Sequence, residues 1–185
     1  MGRRLDIVYP GWSGRYMDVI DSHTSEILYK YEKKGIFKQS IIITRPSEKG
    51  SSSEHTIAKV SISSKIAIDI EGGNAAMKKP SNFSSNYEFV TDALSGTWTK
   101  PGWLSSRMEL VSTTGVLASL ERAWSFFQEG TLEILGNPSQ RQLDMIVVTA
   151  LVMMEKQDSD RKDASQDSWA AHAAPDAAAA SVPTF

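Results

Sequence analysis

Hydrophobic and polar residues alternate along most of the first 135 positions, which is the pattern of β-strands that bury one face. In residues 65–70 the three isoleucines share one face, and Lys65 and Asp69 lie on the other. Residues 107–111 show the same alternation. Twelve segments of this kind lie between turn residues, and we predict a strand in each of them. They are residues 6–9, 16–21, 26–31, 40–45, 55–62, 65–70, 75–79, 87–91, 96–100, 107–112, 116–121 and 131–135.

The connections between these segments are short and rich in residues that favour turns. Residues 72–74 (GGN) and 113–115 (TTG) are typical of tight hairpins. Consecutive strands joined by short links pair with each other in antiparallel order. We therefore predict a meander that closes on itself.

A different pattern follows the last predicted strand, because residues 143–154 (LDMIVVTALVMM) are apolar on every side at helical spacing. Pro138 in a first turn and the capping-box pair of Ser139 and Gln142 mark the start of a helix, which we predict over residues 138–156. A helix without a solvent face must be enclosed, and only strands precede it. The sequence therefore predicts a mainly β fold, an antiparallel barrel of about twelve strands that encloses a hydrophobic C-terminal helix.

Two polar residues interrupt the apolar helix, and neither of them requires a catalytic role. Asp144 lies near the helix N-terminus, where the helix dipole favours a negative charge. Thr149 is able to donate a hydrogen bond to the carbonyl one turn earlier. The apolar run is about twelve residues long, whereas a membrane span needs roughly 20. We therefore expect a core helix and no transmembrane segment.

The remaining segments set the predicted domain boundaries. Residues 1–4 precede the first predicted strand and are interpreted as an N-terminal arm. Residues 5–156 form the predicted barrel domain. From residue 157 the sequence becomes charged and then rich in Ala, Ser and Pro, so we predict that residues 157–185 are disordered.

Composition and motifs narrow the functional classes. The 185 residues carry a formal net charge of −2, which provides no overall field to attract nucleic acid. The absence of cysteine excludes thiolate chemistry and agrees with a cytoplasmic location. His23 lies among turn residues and His55 has no ligand-type cluster beside it, so we expect no metal site and no cofactor. Because neither a nucleophile elbow nor a phosphate loop is present, we expect a non-catalytic protein.

The order of the elements resembles that of the tubby C-terminal-like superfamily, which also contains the phospholipid scramblase and LURP-one-related proteins. The likeness rests on residues 131–135 (TLEIL) followed by 143–156 (LDMIVVTALVMMEK), with support from YMDVID at 16–21, EILYKY at 26–31 and GTWTK at 96–100. It is closest to short single-domain members of fungal type. The resemblance implies the barrel with a central helix and a role as a lipid- or phosphoinositide-associated adaptor or scaffold. The acidic calcium-binding stretch of scramblases has no counterpart here, so lipid scrambling is not expected.

Two lysine clusters are candidates for binding an anionic lipid headgroup. The first surrounds the end of a predicted strand, and the second precedes Pro80. If the barrel brings them together, each charge contributes about 1 kcal/mol near an acidic surface. The alternative is a set of solvated charges that keep the protein soluble. The candidate residues are Lys33, Lys34, Lys38, Lys78, Lys79 and Lys100.

The aromatic-rich stretch at residues 82–103 is a second candidate surface, in this case for a protein partner. Exposed aromatic side chains often mark binding sites. The alternative is that aromatic residues at a period of two face the core. The candidate residues are Phe83, Tyr87, Trp98 and Trp103.

Three functional hypotheses therefore remain open. The first is a non-catalytic protein that associates with acidic lipids at the membrane periphery. The second is a protein-interaction module that uses the aromatic stretch. The third is a small-molecule-binding protein or enzyme, which requires a pocket between the helix and the barrel wall. The sequence does not indicate the oligomeric state.

Overall fold

All twelve predicted strands are present in the computed structural model, and each boundary lies within three residues of its predicted position. The structure describes residues 2–11, 14–35, 39–46, 54–63, 65–81, 84–102, 105–123 and 128–172, with the backbone alone at 39, 128 and 161–172. Within these residues the strands are β1 Arg3–Val8, β2 Tyr16–Asp21, β3 Ile27–Lys34, β4 Gln39–Arg45, β5 His55–Ile62, β6 Ile66–Ile70, β7 Gly73–Met77, β8 Tyr87–Val90, β9 Ser95–Thr99, β10 Arg107–Ser112, β11 Gly115–Arg122 and β12 Gln128–Ile134. One helix follows them, α1 Gln140–His172.

The strands form a nearly closed antiparallel barrel in the order of the sequence. The hydrogen-bonded order is β7-β6-β5-β4-β3-β2-β1-β12-β11-β10-β9-β8. β1 pairs with β12, so the first and last strands are neighbours. One residue pair joins the two outer strands, because Lys78 N donates to Glu88 O at 3.0 Å and Glu88 N donates to Lys78 O at 2.8 Å. The prediction of a meander that closes on itself is therefore confirmed.

The barrel has two distinct ends because neighbouring strands run in opposite directions. All odd-numbered strands finish at one end, which we call the lysine end. All even-numbered strands finish at the other. Since β12 finishes there and α1 begins six residues later, we call this second end the helix-start end.

The barrel encloses α1 from Leu143 to Leu151. Every residue from 143 to 151 is at most 8% exposed, so this stretch has no solvent face. The strands contribute the inward side chains that surround it, including Leu5, Ile7, Ile43 and Leu132, all at 0% exposure. The predicted fold class, a barrel enclosing a hydrophobic C-terminal helix, is therefore confirmed.

The start of α1 follows the predicted capping chemistry, but the helix begins at Gln140 rather than at residue 138, so Pro138 precedes its first turn. Ser139 N donates to Gln142 Oε1 at 3.0 Å, and Gln142 N donates to Ser139 Oγ at 3.4 Å. This reciprocal pair satisfies two amide donors that would otherwise lack partners at the helix start. Thr149 Oγ1 donates back to Met145 O at 2.8 Å, as expected.

Both ends of the described chain differ from the predicted domain boundaries. Arg3 and Arg4 were predicted in an N-terminal arm, but they belong to β1 and pair with Ile134 and Glu133 of β12. The chain has two compact units, and the first includes the barrel and α1 as far as Leu151.

The second unit begins at Val152, and in it α1 continues to His172 beyond the predicted helix end at Lys156. Residues 157–172, expected to be disordered, are therefore helical. Two features allow this: the sequence of α1 contains neither Gly nor Pro, and Lys156 Nζ pairs with Asp160 one turn later at 2.8 Å. The rest of the predicted tail, 173–185, lies outside the described residues.

Candidate functional site

The strand directions bring the described candidate lysines to the same end of the barrel. Lys33 and Lys34 finish β3, Lys78 and Lys79 follow β7, and Lys100 follows β9. Because these are odd-numbered strands, all five residues lie at the lysine end. Lys38 lies outside the described residues.

The environments of these lysines differ. Lys34 Nζ pairs with Glu32 at 3.2 Å, and Lys79 Nζ lies 5.4 Å from the centre of the Tyr87 ring. Lys33 is half-buried. Lys78 and Lys100 are exposed and form no ion pair within the described part of the chain. These two charges are the most available for an external anion.

The sequence segments that join strands separate the charges between the two ends. At the lysine end, the described residues of the joining segments include no Asp or Glu. Their basic members are Arg15, Lys65, Lys78, Lys79 and Lys100. At the helix-start end, the described residues of the joining segments include several acidic residues and neither Lys nor Arg. These acidic residues are Glu26, Glu54, Glu71 and Asp92.

Sequence reasoning missed Arg15 and Lys65 as members of the basic end. Each of them directly precedes an even-numbered strand. Even-numbered strands start at the lysine end, so both residues lie there. No local signal distinguishes these residues from ordinary surface charges. They are identified by strand parity, meaning whether the adjacent strand is odd- or even-numbered in the antiparallel order. This requires all twelve strands to be assigned correctly.

The predicted aromatic partner surface is wrong for the two members that the structure describes. Trp98 is 0% exposed and Tyr87 is 6% exposed, and the two residues are paired across β8 and β9. Both face the barrel interior because strand alternation places them on the same side as Phe89 and Leu110. Phe83 and Trp103 lie outside the described residues.

A polar cluster joins α1 to the barrel wall near the helix-start end. Asp144 Oδ1 accepts hydrogen bonds from Tyr29 Oη at 2.8 Å, from Arg45 Nη2 at 2.5 Å and from Gln140 Nε2 at 2.9 Å. Burial and the negative charge of Asp144 raise the pKa of the Tyr29 phenol above its ordinary value. The phenol therefore stays protonated and serves as a donor that positions the helix.

The two candidate histidines of the barrel are surface residues. His23 lies in the turn after β2, where its backbone N donates to Asp21 Oδ1 at 2.9 Å. His55 Nε2 lies 2.9 Å from Glu71 Oε2, and both side chains are more than half exposed. Within the described residues, no three His, Cys, Asp or Glu side chains are grouped to hold a metal ion.

The seam between β7 and β8 is bridged by Arg141 at the helix-start end. Its guanidinium donates to Gly72 O at 2.5 Å in the turn before β7 and pairs with Asp92 at 2.9 Å in the turn after β8. A Cβ at position 72 would lie 2.8 Å from this guanidinium, and Gly72 has a φ of +84°. The positive φ favours glycine at this position, and a Cβ there would also displace the flexible Arg141 side chain. Apart from the pair of Lys78 and Glu88, no β-bridge between described residues joins the two strands.

Replacing Arg141 by alanine is expected to loosen the seam. The ion pair is well exposed, so we expect the free energy of unfolding to fall by only about 0.5–1 kcal/mol. Amide hydrogen exchange in β7 should nevertheless accelerate. Without Arg141, the pair of Lys78 and Glu88 is the remaining described link between β7 and β8. Arg107→Ala is the matched control, since Arg107 pairs with Glu109 at 3.2 Å without crossing the seam. Equal exchange in β7 for both variants would show that Arg141 does not hold the seam.

Among the described residues, no helical stretch has both the length and the hydrophobicity that a membrane span requires. Comparison of the chain with protein-family models, with curated proteins and with solved structures finds no match in any of the three.

Proposed function

We propose that the lysine end of the barrel binds an anionic lipid surface, and that the protein is a non-catalytic adaptor or regulatory scaffold at the membrane periphery. The observation that carries the proposal is the separation of charge between the two ends. Among the described residues, the joining segments at the lysine end are basic without any acidic residue, whereas those at the helix-start end are acidic. The joining segments of the lysine end therefore offer positive charge to an acidic surface, although the net charge of the molecule is −2.

The order of the elements supports the same proposal. Twelve antiparallel strands followed by one hydrophobic helix resemble the tubby C-terminal-like superfamily, and we propose that the chain is a member. Proteins of that superfamily are described as binding phosphoinositides or other lipids, or as acting as scaffolds. Fold alone does not determine function, so the charges of the lysine end carry the argument.

Simple electrostatics gives the expected size of the effect. Each basic residue near an acidic leaflet contributes about 1 kcal/mol, and the attraction decays within a Debye length of about 8–10 Å. Lys78 and Lys100 are exposed and carry no ion pair within the described residues, so their charges are not already neutralised there. We expect several such residues at one end to give reversible binding that weakens with salt.

Sedimentation with lipid vesicles tests the proposal. We expect the full chain to bind phosphatidylcholine vesicles that contain phosphatidylserine, and to dissociate as salt is raised. The double variant Lys78→Glu/Lys100→Glu should bind at least roughly 30-fold more weakly, because two attractions of about 1 kcal/mol each are lost.

The matched control reverses two charges elsewhere on the barrel. Arg4 is the second residue of β1, near the helix-start end, and Lys59 is exposed in the middle of β5. Arg4→Glu/Lys59→Glu has the same net charge as the test variant, so its binding should change by less than about 3-fold. Equal loss in both variants would show that only net charge matters. Absence of binding at low salt would also contradict the proposal.

A further inference from the structure

A cavity of about 540 Å³ opens at the helix-start end, away from the lysine end. Its walls are the turn after β8, the turn after β10, the segment between β12 and α1, and the first turns of α1. Small-molecule sites in proteins commonly have volumes of about 300–1,000 Å³. The size is therefore suitable for a small organic ligand.

One side of the cavity is apolar. Leu94, Leu117, Leu135 and Ile146 line it, and Leu135 is 47% exposed. Leu117 is the extra residue of a β-bulge, since Leu110 pairs with Ala118 and Val111 with Val116. Bulges often redirect a side chain near a functional site. Leu135 N donates to Leu117 O at 2.8 Å, which fixes the two leucines relative to each other.

The other side of the cavity is polar and almost uncharged. Ser95, Thr113 and Asn137 line it with hydroxyl and amide groups that have no hydrogen-bond partner among the described residues. Asp92 is the charged member of the lining, and its carboxylate is paired with Arg141 at 2.9 Å. The lining therefore provides no unpaired charge to offset the desolvation of an ionic ligand.

Other lining groups are already satisfied within the protein, which makes the site pre-formed. Thr91 Oγ1 donates to Leu94 O at 2.7 Å. Gln142 Oε1 accepts from Ser139 N, and Gln142 Nε2 donates to Ala93 O at 3.4 Å. These bonds hold the turn after β8 against the helix start. A ligand therefore binds without a large loss of conformational entropy in the lining residues.

From these features we infer that the cavity binds a small uncharged molecule with an apolar body and one or a few hydroxyl groups. The leucines and Ile146 contact the apolar body, and Ser95, Thr113 and Asn137 exchange hydrogen bonds with the hydroxyl groups. The acidic joining segments of this end disfavour an anionic ligand. The inference does not depend on lipid binding, because the two sites lie at opposite ends of the barrel.

Titration with three matched probes tests the inference by amide chemical shifts of the ¹⁵N-labelled full chain. The probes are 1-hexanol, hexanoate and hexylammonium, which share the alkyl chain and differ in charge. We expect 1-hexanol to give saturable shifts at Leu94, Ser95, Gly136 and Gln142, with a Kd on the order of 1–10 mM. The two ions should bind at least roughly 10-fold more weakly. Equal binding of an ion, or no saturable shift with 1-hexanol, would overturn the inference.

Two variants that fill the cavity locate the binding. Thr113→Trp and Leu135→Trp place a large side chain at exposed lining positions, and each should weaken 1-hexanol binding at least roughly 10-fold. Tyr16→Trp is the control, since Tyr16 is 49% exposed at the lysine end. Unchanged binding in both folded lining variants would contradict the assignment. Lys78→Glu/Lys100→Glu should keep full 1-hexanol binding, which separates this site from the proposed lipid site.

Discussion

Replacing Val147 by aspartate is expected to abolish cooperative folding. Val147 lies in the enclosed part of α1 and is 0% exposed, with neighbours on every side that are also buried. A carboxylate there has no partner and no route to water, so the expected cost exceeds about 4 kcal/mol. That cost is a large share of the 5–15 kcal/mol that stabilises a typical domain. Urea denaturation followed by circular dichroism measures it.

Two controls separate burial from a general effect of polarity. Val90→Asp introduces the same charge at a position that is 73% exposed, and its effect should stay within about 0.5 kcal/mol. Thr149→Val removes a hydroxyl that bonds only to the backbone of its own helix, and should change the free energy of unfolding by less than about 1 kcal/mol. A mild effect of Val147→Asp would mean that this face of the helix reaches water.

Replacing Asp144 by leucine is expected to lower the free energy of unfolding by about 3 kcal/mol. The substitution leaves the Arg45 guanidinium and the Tyr29 hydroxyl without their acceptor. Breaking a fully buried ion pair costs about 3–5 kcal/mol. The Arg45 side chain is 34% exposed, so the lower part of that range applies.

A double-mutant cycle separates the interaction between Arg45 and Asp144 from the other effects of removing the Asp144 side chain. In Arg45→Met/Asp144→Leu, no charge is left without a partner. We therefore expect the double variant to be more stable than Asp144→Leu alone, with a coupling energy of about 1–2 kcal/mol between the two positions. Strictly additive effects would show that Arg45 and Asp144 do not stabilise each other.

Much of the fold was predictable because it depends on local periodicity. A period of two identified all twelve strands, and Ser139 with Gln142 identified the helix start. The enclosure of α1 followed from the absence of a polar face. The helix end at His172 was not predicted, because the residues after Lys156 are mostly charged or small and show no hydrophobic face that would pack against a core. These residues are nevertheless compatible with a helix, since they include neither Gly nor Pro.

The candidate sites were less predictable because they depend on contacts distant in sequence. The lysines were recognised as clusters, but their common end follows only from strand parity. The pairing of Arg45 with Asp144 joins residues 99 positions apart and has no local signal. For Trp98 and Tyr87 the sequence leaves two alternatives, a partner surface and the core, and both residues face the core, as period-two aromatic residues normally do.

The central claim, that the barrel encloses a helix without a solvent face, is tested most directly by thiol accessibility. The chain contains no cysteine, so single Cys variants at Val147, Val148, Thr149 and Ala150 sample the whole circumference of α1. All four thiols should react with a maleimide at one common slow rate, at least roughly 1,000-fold below that of Val90→Cys, because each requires unfolding. A single position that reacts as fast as Val90→Cys would reveal a solvent face and contradict the enclosed helix.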